Sequence, residues 1–159
     1  MNPPLVEKYM YLALDEARKN FITLSGGPFG ACIVKNGHVL AVARNTVLEN
    51  DATCHAEINA IRIASKELGS FDLSGSVIYS TTEPCPMCFT AIHWAHIDAI
   101  VYGTSIQDAQ KLGFNELPIS NNTLKELGKS SVCIVSSFMF EECLQLFNDW
   151  SCLKGKQIY

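Results

Sequence analysis

Cys54-His55-Ala56-Glu57 and Glu83-Pro84-Cys85-Pro86-Met87-Cys88 are the two stretches from which the rest of the chain can be read. One histidine and two cysteines supply one nitrogen and two sulfur donors, a set that suits tetrahedral zinc with a fourth position left to water. Glu57, two residues after His55, can stand beside that position without being a ligand. A lone C-x-x-C could equally be a redox pair or part of a closed structural site. A closed site needs a fourth protein donor, however, and the sequence has no second C-x-x-C and one well-placed histidine. Three donors with a vacancy is the arrangement of a catalytic metal site.

Both stretches read as helix starts. Asp51 and Thr53 are candidate caps for a helix from about His55 to Leu68, with Ile58, Ile61 and Leu68 among its apolar positions. Glu57 then lies in the first turn, where unpaired amides and the positive dipole end favour the anion. On a regular helix, side chains two apart diverge by about 200°, so a site shared by His55 and Glu57 requires the helix end itself to be the pocket floor. Ser76 to Ser80 reads as a strand leading into a second helix, about Pro86 to Ala95. Cys85 and Cys88 can face one way from that helix start, where the dipole and a bound metal would both favour thiolates.

Upstream, Pro3-Pro4 marks a helix start, and Val6, Tyr9, Met10, Ala13 and Ala17 form one apolar stripe up to about Asn20. Ser25-Gly26-Gly27-Pro28-Phe29-Gly30 is either a plain helix-to-strand loop or a pocket wall with Phe29 facing a ligand. Two strands, Ala31 to Lys35 and Val39 to Ala43, flank the hairpin turn Asn36-Gly37. Asn45 follows, able to donate to and accept from a ligand, although an asparagine at a strand end is more often a turn residue. Downstream come a buried strand at Ala99 to Gly103, a short helix at Ile106 to Leu112 and a polar surface loop from Gly113 to about Lys129. Ser131 to Ser136 is the fifth strand, and Phe140, Cys143, Leu144 and Phe147 mark the face of a final helix. The string α-β-β-α-β-α-β-α-β-α predicts one α/β domain over residues 1–159, a five-stranded sheet with helices on both faces.

Bulk properties narrow the setting. A length of 159 residues, 48% hydrophobic and 18% charged, fits one compact core and excludes disorder. A net charge of −4 argues against a surface built to neutralise phosphates. The seven cysteines are scattered without disulfide-like spacing, which predicts a reducing cytoplasm. Met1-Asn2-Pro3-Pro4 has no signal-peptide character, and no apolar run approaches the roughly 20 residues that span a bilayer.

The chain resembles the cytidine deaminase-like superfamily of zinc deaminases, which carry H-x-E followed by P-C-x-x-C. Within it the chain is most similar to the bacterial guanine deaminase group. The likeness covers nearly the whole chain: Gly26-Gly27-Pro28-Phe29-Gly30-Ala31, Asn45, both zinc segments, Ala91-Ile92-His93-Trp94-Ala95, Gly113-Phe114, Trp150 and Tyr159. The resemblance implies a three-layer αβα sandwich on a five-stranded mixed sheet. It implies zinc held by His55, Cys85 and Cys88, with Glu57 as proton shuttle, and hydrolysis of guanine to xanthine and ammonia. Asn45, Phe29 and Trp94 would hold the purine by hydrogen bonding and stacking. It further implies a homodimer whose C-terminal segments cross, carrying Tyr159 to the partner's substrate. The group's Gly-Phe-Asp-Asp segment is Gly113-Phe114-Asn115-Glu116 here, so Glu116 keeps a second carboxylate on a longer stem while Asn115 loses a charge. One methylene in a tight pocket shifts selectivity by roughly 1–3 kcal/mol. The alternatives are a tRNA adenosine deaminase, which should carry a basic stripe, a cytosine or other nucleobase deaminase, and a zinc-stabilised scaffold.

Overall fold

Five strands form one sheet in the computed structural model, which describes residues 3–159. They are β1 (Gly30–Lys35), β2 (His38–Arg44), β3 (Ser76–Thr82), β4 (Ala99–Thr104) and β5 (Cys133–Val135), in the order β2-β1-β3-β4-β5. β1 pairs antiparallel with both β2 and β3, whereas β3–β4 and β4–β5 are parallel, so the sheet is mixed as expected. The Asn36-Gly37 turn joins β1 to β2 with both residues at positive φ, the conformation such a dipeptide tolerates. β4 is buried along its whole length, as its unbroken apolar run requires.

Helices cover both faces. α1 (Glu7–Arg18) packs Tyr9, Met10, Ala13 and Leu14 onto one face, together with Cys143 and Leu146 of α7 (Phe140–Ser151). On the other face, α3 (Ala56–Leu68) and α4 (Pro86–Trp94) close over Ile33, Ile78 and Ile100. α3 meets the sheet through Ala56, Ala60 and Ala64, all fully buried, while Ile58 and Ile61 are half-buried and Leu68 is exposed. Small side chains let the helix axis approach the strands closely, and the larger ones fill its flanks. Likewise α7 buries Cys143, Leu146, Phe147 and Trp150, one step round from the expected Phe140, Cys143, Leu144 and Phe147 face.

Three expectations need correction. α1 starts at Glu7, not at Pro3-Pro4: Val6 is its extended N-cap, and the Pro4 carbonyl is engaged by the Tyr79 hydroxyl at 2.6 Å. A short helix, α2 (Asn20–Thr23), follows α1 and ends on Leu24 at positive φ. The segment read as a surface loop contains α6 (Asn121–Gly128), which follows α5 (Ile106–Lys111). Ser120 caps α6 by accepting from the Thr123 amide, and Leu124 packs against the core. Met1 and Asn2 lie outside the described residues. Among the described residues no helix is long and apolar enough to cross a membrane.

Candidate active site

The two parallel crossovers place the starts of α3 and α4 at the same end of the sheet. His55 is the N-cap of α3 and Cys85 the N-cap of α4, and both have extended backbone. His55 is therefore not on the helical spiral, and the divergence expected for side chains two apart on a helix does not arise. His55 and Glu57 face one cavity from the end of α3. Cys85 Sγ and Cys88 Sγ lie 3.5 and 3.6 Å from His55 Nδ1. Tetrahedral zinc with bonds of about 2.3 Å to sulfur and about 2.05 Å to nitrogen needs such pairs about 3.6 Å apart. The three donor atoms, all within 4.8 Å of one another, thus fit zinc without rearrangement.

Electrostatics prepare the donors unequally. Hydrogen bonding from Cys88, with His55 adding to it, pulls the Cys85 thiol down to about 4, so this sulfur is already a thiolate. Burial pushes Cys88 well above the usual 9.0, and its thiol points at Glu57 Oε2, 3.4 Å away. A metal held here would therefore have to displace a proton from Cys88. The carboxyl of Glu57 is raised by burial and further by the Cys85 thiolate, while His55 and the Ser80 hydroxyl lower it. The expectation that the helix dipole favours its anion is thus overridden, because desolvation inside the fold is the larger effect. Ser80 donates to Glu57 Oε1 at 2.8 Å, and this holds the carboxylate in place.

Glu116 lines the same cavity, and burial plus the nearby Cys85 thiolate raise its carboxyl from 4.5 to about 7. The cavity, of about 200 Å³, is also lined by Phe29, Asn45, Phe114 and Tyr159. Phe29 stacks edge-on against Phe114, with ring centroids 4.9 Å apart, so the Gly26-to-Gly30 segment is a pocket wall and not only a loop. A side chain at Gly26 would lie 2.0 Å from Asn45 Oδ1, which explains why the wall has none there. Buried Asn20 donates to the carbonyls of Gly27 and Asn45, tying wall and strand end together. Asn45 accepts from the Val47 amide at 3.1 Å and from the Tyr159 hydroxyl at 2.6 Å. Tyr159 Oη accepts in turn from the Gly27 amide at 3.0 Å, and the Tyr159 carbonyl accepts from Asn115 at 3.1 Å. The tail thus returns to the pocket of its own chain.

Trp94 is the exception among the expected residues. It sits at the last position of α4, is 72% exposed and does not line the cavity. Only the first turn of α4 faces the pocket, and nine helical residues carry the chain about 13 Å away from it. Ser80, Thr82, Glu83 and Phe114 are at the site without having been nominated. The small polar run Ser80-Thr81-Thr82 after Val77-Ile78-Tyr79 was the available signal, since a buried strand end needs such residues only where it meets a polar site.

The model of the cytidine and deoxycytidylate deaminase zinc-binding region matches residues 4–104, both zinc segments included. The chain belongs to this deaminase family. Guanine deaminase of Bacillus subtilis is 38% identical over 135 residues, 84% of this chain and 86% of that one. The tRNA-specific adenosine deaminase of Agrobacterium fabrum is 45% identical over 101 residues, 60% of this chain and 62% of that one. The solved guanine deaminase from Nitrosomonas europaea superposes with a TM-score of 0.83 at 25% identity, covering 94% of this chain and 88% of that chain.

Proposed function

We propose that the protein is a zinc-dependent hydrolytic deaminase of a free purine base, with guanine as substrate and xanthine and ammonia as products. The observation that carries the substrate is Tyr159. Its ring packs against Phe114 at 5.4 Å and its hydroxyl joins Asn45 to Gly27, narrowing the pocket to the size of a base. A base still attached to a nucleic acid chain would have to displace this tail. The net charge of −4 also speaks for a small-molecule substrate and no nucleic acid partner. The scattering of the seven cysteines without disulfide-like spacing supports the cytoplasm as its compartment. The working form we propose is a homodimer. A two-fold exchange of tails would preserve every Tyr159 contact described above, because the same surfaces meet whichever chain supplies the tail.

His55, Cys85 and Cys88 would hold zinc, which when bound would supply the Lewis acidity that lets a water act as nucleophile near neutral pH. Glu57 takes one proton of the attacking water and passes it to a ring nitrogen. It then takes the second from the hydroxyl added at the amino-bearing carbon and passes it to the amine, which leaves as ammonia while the product carbonyl forms. Ser80 occupies Oε1, so Oε2, which faces the metal ligands, is the oxygen that carries the proton. A buried carboxyl with a raised pKa is suited to holding each proton between pick-up and delivery. Phe29 and Phe114, in contact with each other, form one apolar wall for the base, Asn45 binds its edge, and Glu116 accepts from its N–H groups.

Ammonia release tests the reading when guanine, adenine, cytosine, their nucleosides and an adenosine-containing tRNA anticodon arm are assayed side by side. Guanine should be the best substrate, and Glu57→Gln should lower its kcat by roughly 10²–10⁴-fold while zinc content stays unchanged. The 45% identity to a tRNA deaminase makes the anticodon arm the substrate to beat. Turnover of that arm and not of guanine would overturn the assignment.

A further inference from the structure

Glu83 is buried two residues before Cys85 and is used by none of the steps above. Its carboxylate joins two helix starts. Oε1 accepts from the amide of Asn121, the first residue of α6, at 2.8 Å. Oε2 accepts from the amide of Ile106, the first residue of α5, at 3.3 Å. The backbone is fixed as well, since Glu83 donates to the Thr104 carbonyl at 2.8 Å. Asn121, fully buried, returns the contact by donating from Nδ2 to the Pro84 carbonyl at 2.6 Å. The two oxygens of Glu83 supply acceptors to both helix-start amides, each of which would otherwise be an unpaired buried donor.

The position gives this arrangement its consequence. The segment between α5 and α6, residues 112–120, carries Phe114 and Glu116 into the cavity. Both helices that bracket it are tied to one carboxylate on the strand end that leads into Pro84-Cys85. We propose that Glu83 is a positioning residue that sets the distance between the metal-binding loop and Glu116, so that the second carboxylate meets the base where the first can protonate it. The inference rests on the reading that Glu116 faces a reacting base. A glutamine at this position keeps the shape but turns one acceptor into a donor, which then opposes an amide N–H. An aspartate keeps the charge but loses the reach to both helices.

The test compares zinc-loaded wild type, Glu83→Gln, Glu116→Gln and the double variant, with guanine as substrate and zinc content matched. Glu83→Gln should lower kcat/KM about tenfold or more in the wild-type background and about threefold or less when Glu116 is already glutamine. Such non-additivity is the mark of a residue acting through another. Amide exchange of residues 112–120 should speed up by about tenfold in Glu83→Gln, with residues 7–18 of α1 unchanged. Unchanged exchange in that segment, or equal losses in both backgrounds, would overturn the proposal. If guanine is not turned over by wild type, the exchange result alone decides: faster exchange keeps the latch while the substrate assignment falls. Should Glu83→Gln fail to fold, Asn121→Ala removes the Pro84 tie, leaves the carboxylate in place and is read by the same two measurements.

Discussion

At the scale of single residues, the site shows how burial reverses the behaviour that the sequence suggests. Glu57 at a helix start reads as a stabilised anion, yet desolvation raises its carboxyl. Glu116, the second site carboxylate, lies in a segment that reads as a polar surface loop, yet burial holds it at about 7. This shift makes a prediction whose sign is opposite to that of a salt-bridged acid. A carboxyl raised from 4.5 to about 7 keeps its proton in the folded state after the unfolded chain has lost its own. Its contribution to stability is therefore complete at low pH and disappears as pH rises through that window. Cys85, pulled down to about 4, has the opposite slope, but it is present in both chains of the comparison. In zinc-free protein the stability difference between wild type and Glu116→Gln should move against wild type from about pH 5 to about pH 8. Urea midpoints at the two pH values check it, and a difference that stays constant would show that Glu116 titrates as if exposed. The zinc donors were legible from spacing because C-x-x-C and H-x-E are local. Ser80 and Glu83 were not, because their roles depend on partners on other elements.

At the scale of elements, strands and long helices were readable wherever apolar periodicity was sustained, and the ends of β1, β2, β3 and β4 fall within two residues of expectation. α6 was missed because its eight residues include one side chain packed on the core, Leu124, so there was no stripe to see. Its start was marked only by Ser120 after Pro118, and its first amide is satisfied by a residue far away in sequence. The face of α3 was also less legible, because alanines are silent in a search for large apolar residues. The structure makes Ala60 the tight contact and leaves Ile63 nearly half exposed. Ala60→Leu should therefore cost about 1–3 kcal/mol through overpacking, whereas Ile63→Ala should stay within roughly 0.5 kcal/mol. Since His55 and Glu57 ride on the same helix, Ala60→Leu should also weaken zinc binding. Denaturant midpoints and a zinc-chelator competition read the two effects, and a larger loss at Ile63 would mean that the contact face is wrong.

At the scale of the whole molecule, the pocket collects residues from nearly the full length of the sequence: Phe29 and Asn45, then Glu57 and Cys85, then Phe114 and Glu116, and Tyr159. Phe29 and Asn45 flank strands of the sheet, Glu57 and Cys85 stand at helix starts, and Phe114 and Glu116 ride the segment between α5 and α6, whereas Tyr159 comes from the tail. The tail's aromatic ring touches the rim and lies outside both hydrophobic cores. Function and stability should therefore separate at Tyr159. Its hydroxyl satisfies the Gly27 amide and occupies the acceptor of Asn45, which leaves the Asn45 amide N–H₂ as the group to meet a base. Tyr159→Phe removes that bridge and with it one of the two hydrogen bonds that hold Asn45 Oδ1, and the lost orientation should cost base binding about 1–3 kcal/mol. Because every 1.4 kcal/mol is tenfold in affinity, KM for guanine should rise by roughly 5- to 100-fold. The hydroxyl touches no reacting atom, so kcat should stay within about twofold, and the melting temperature should hold because neither core is altered. Steady-state kinetics and a thermal melt on the same preparation decide it. A fall in melting temperature with KM unchanged would make the tail a structural strap, and a fall in kcat with KM unchanged would bring Tyr159 into the chemistry.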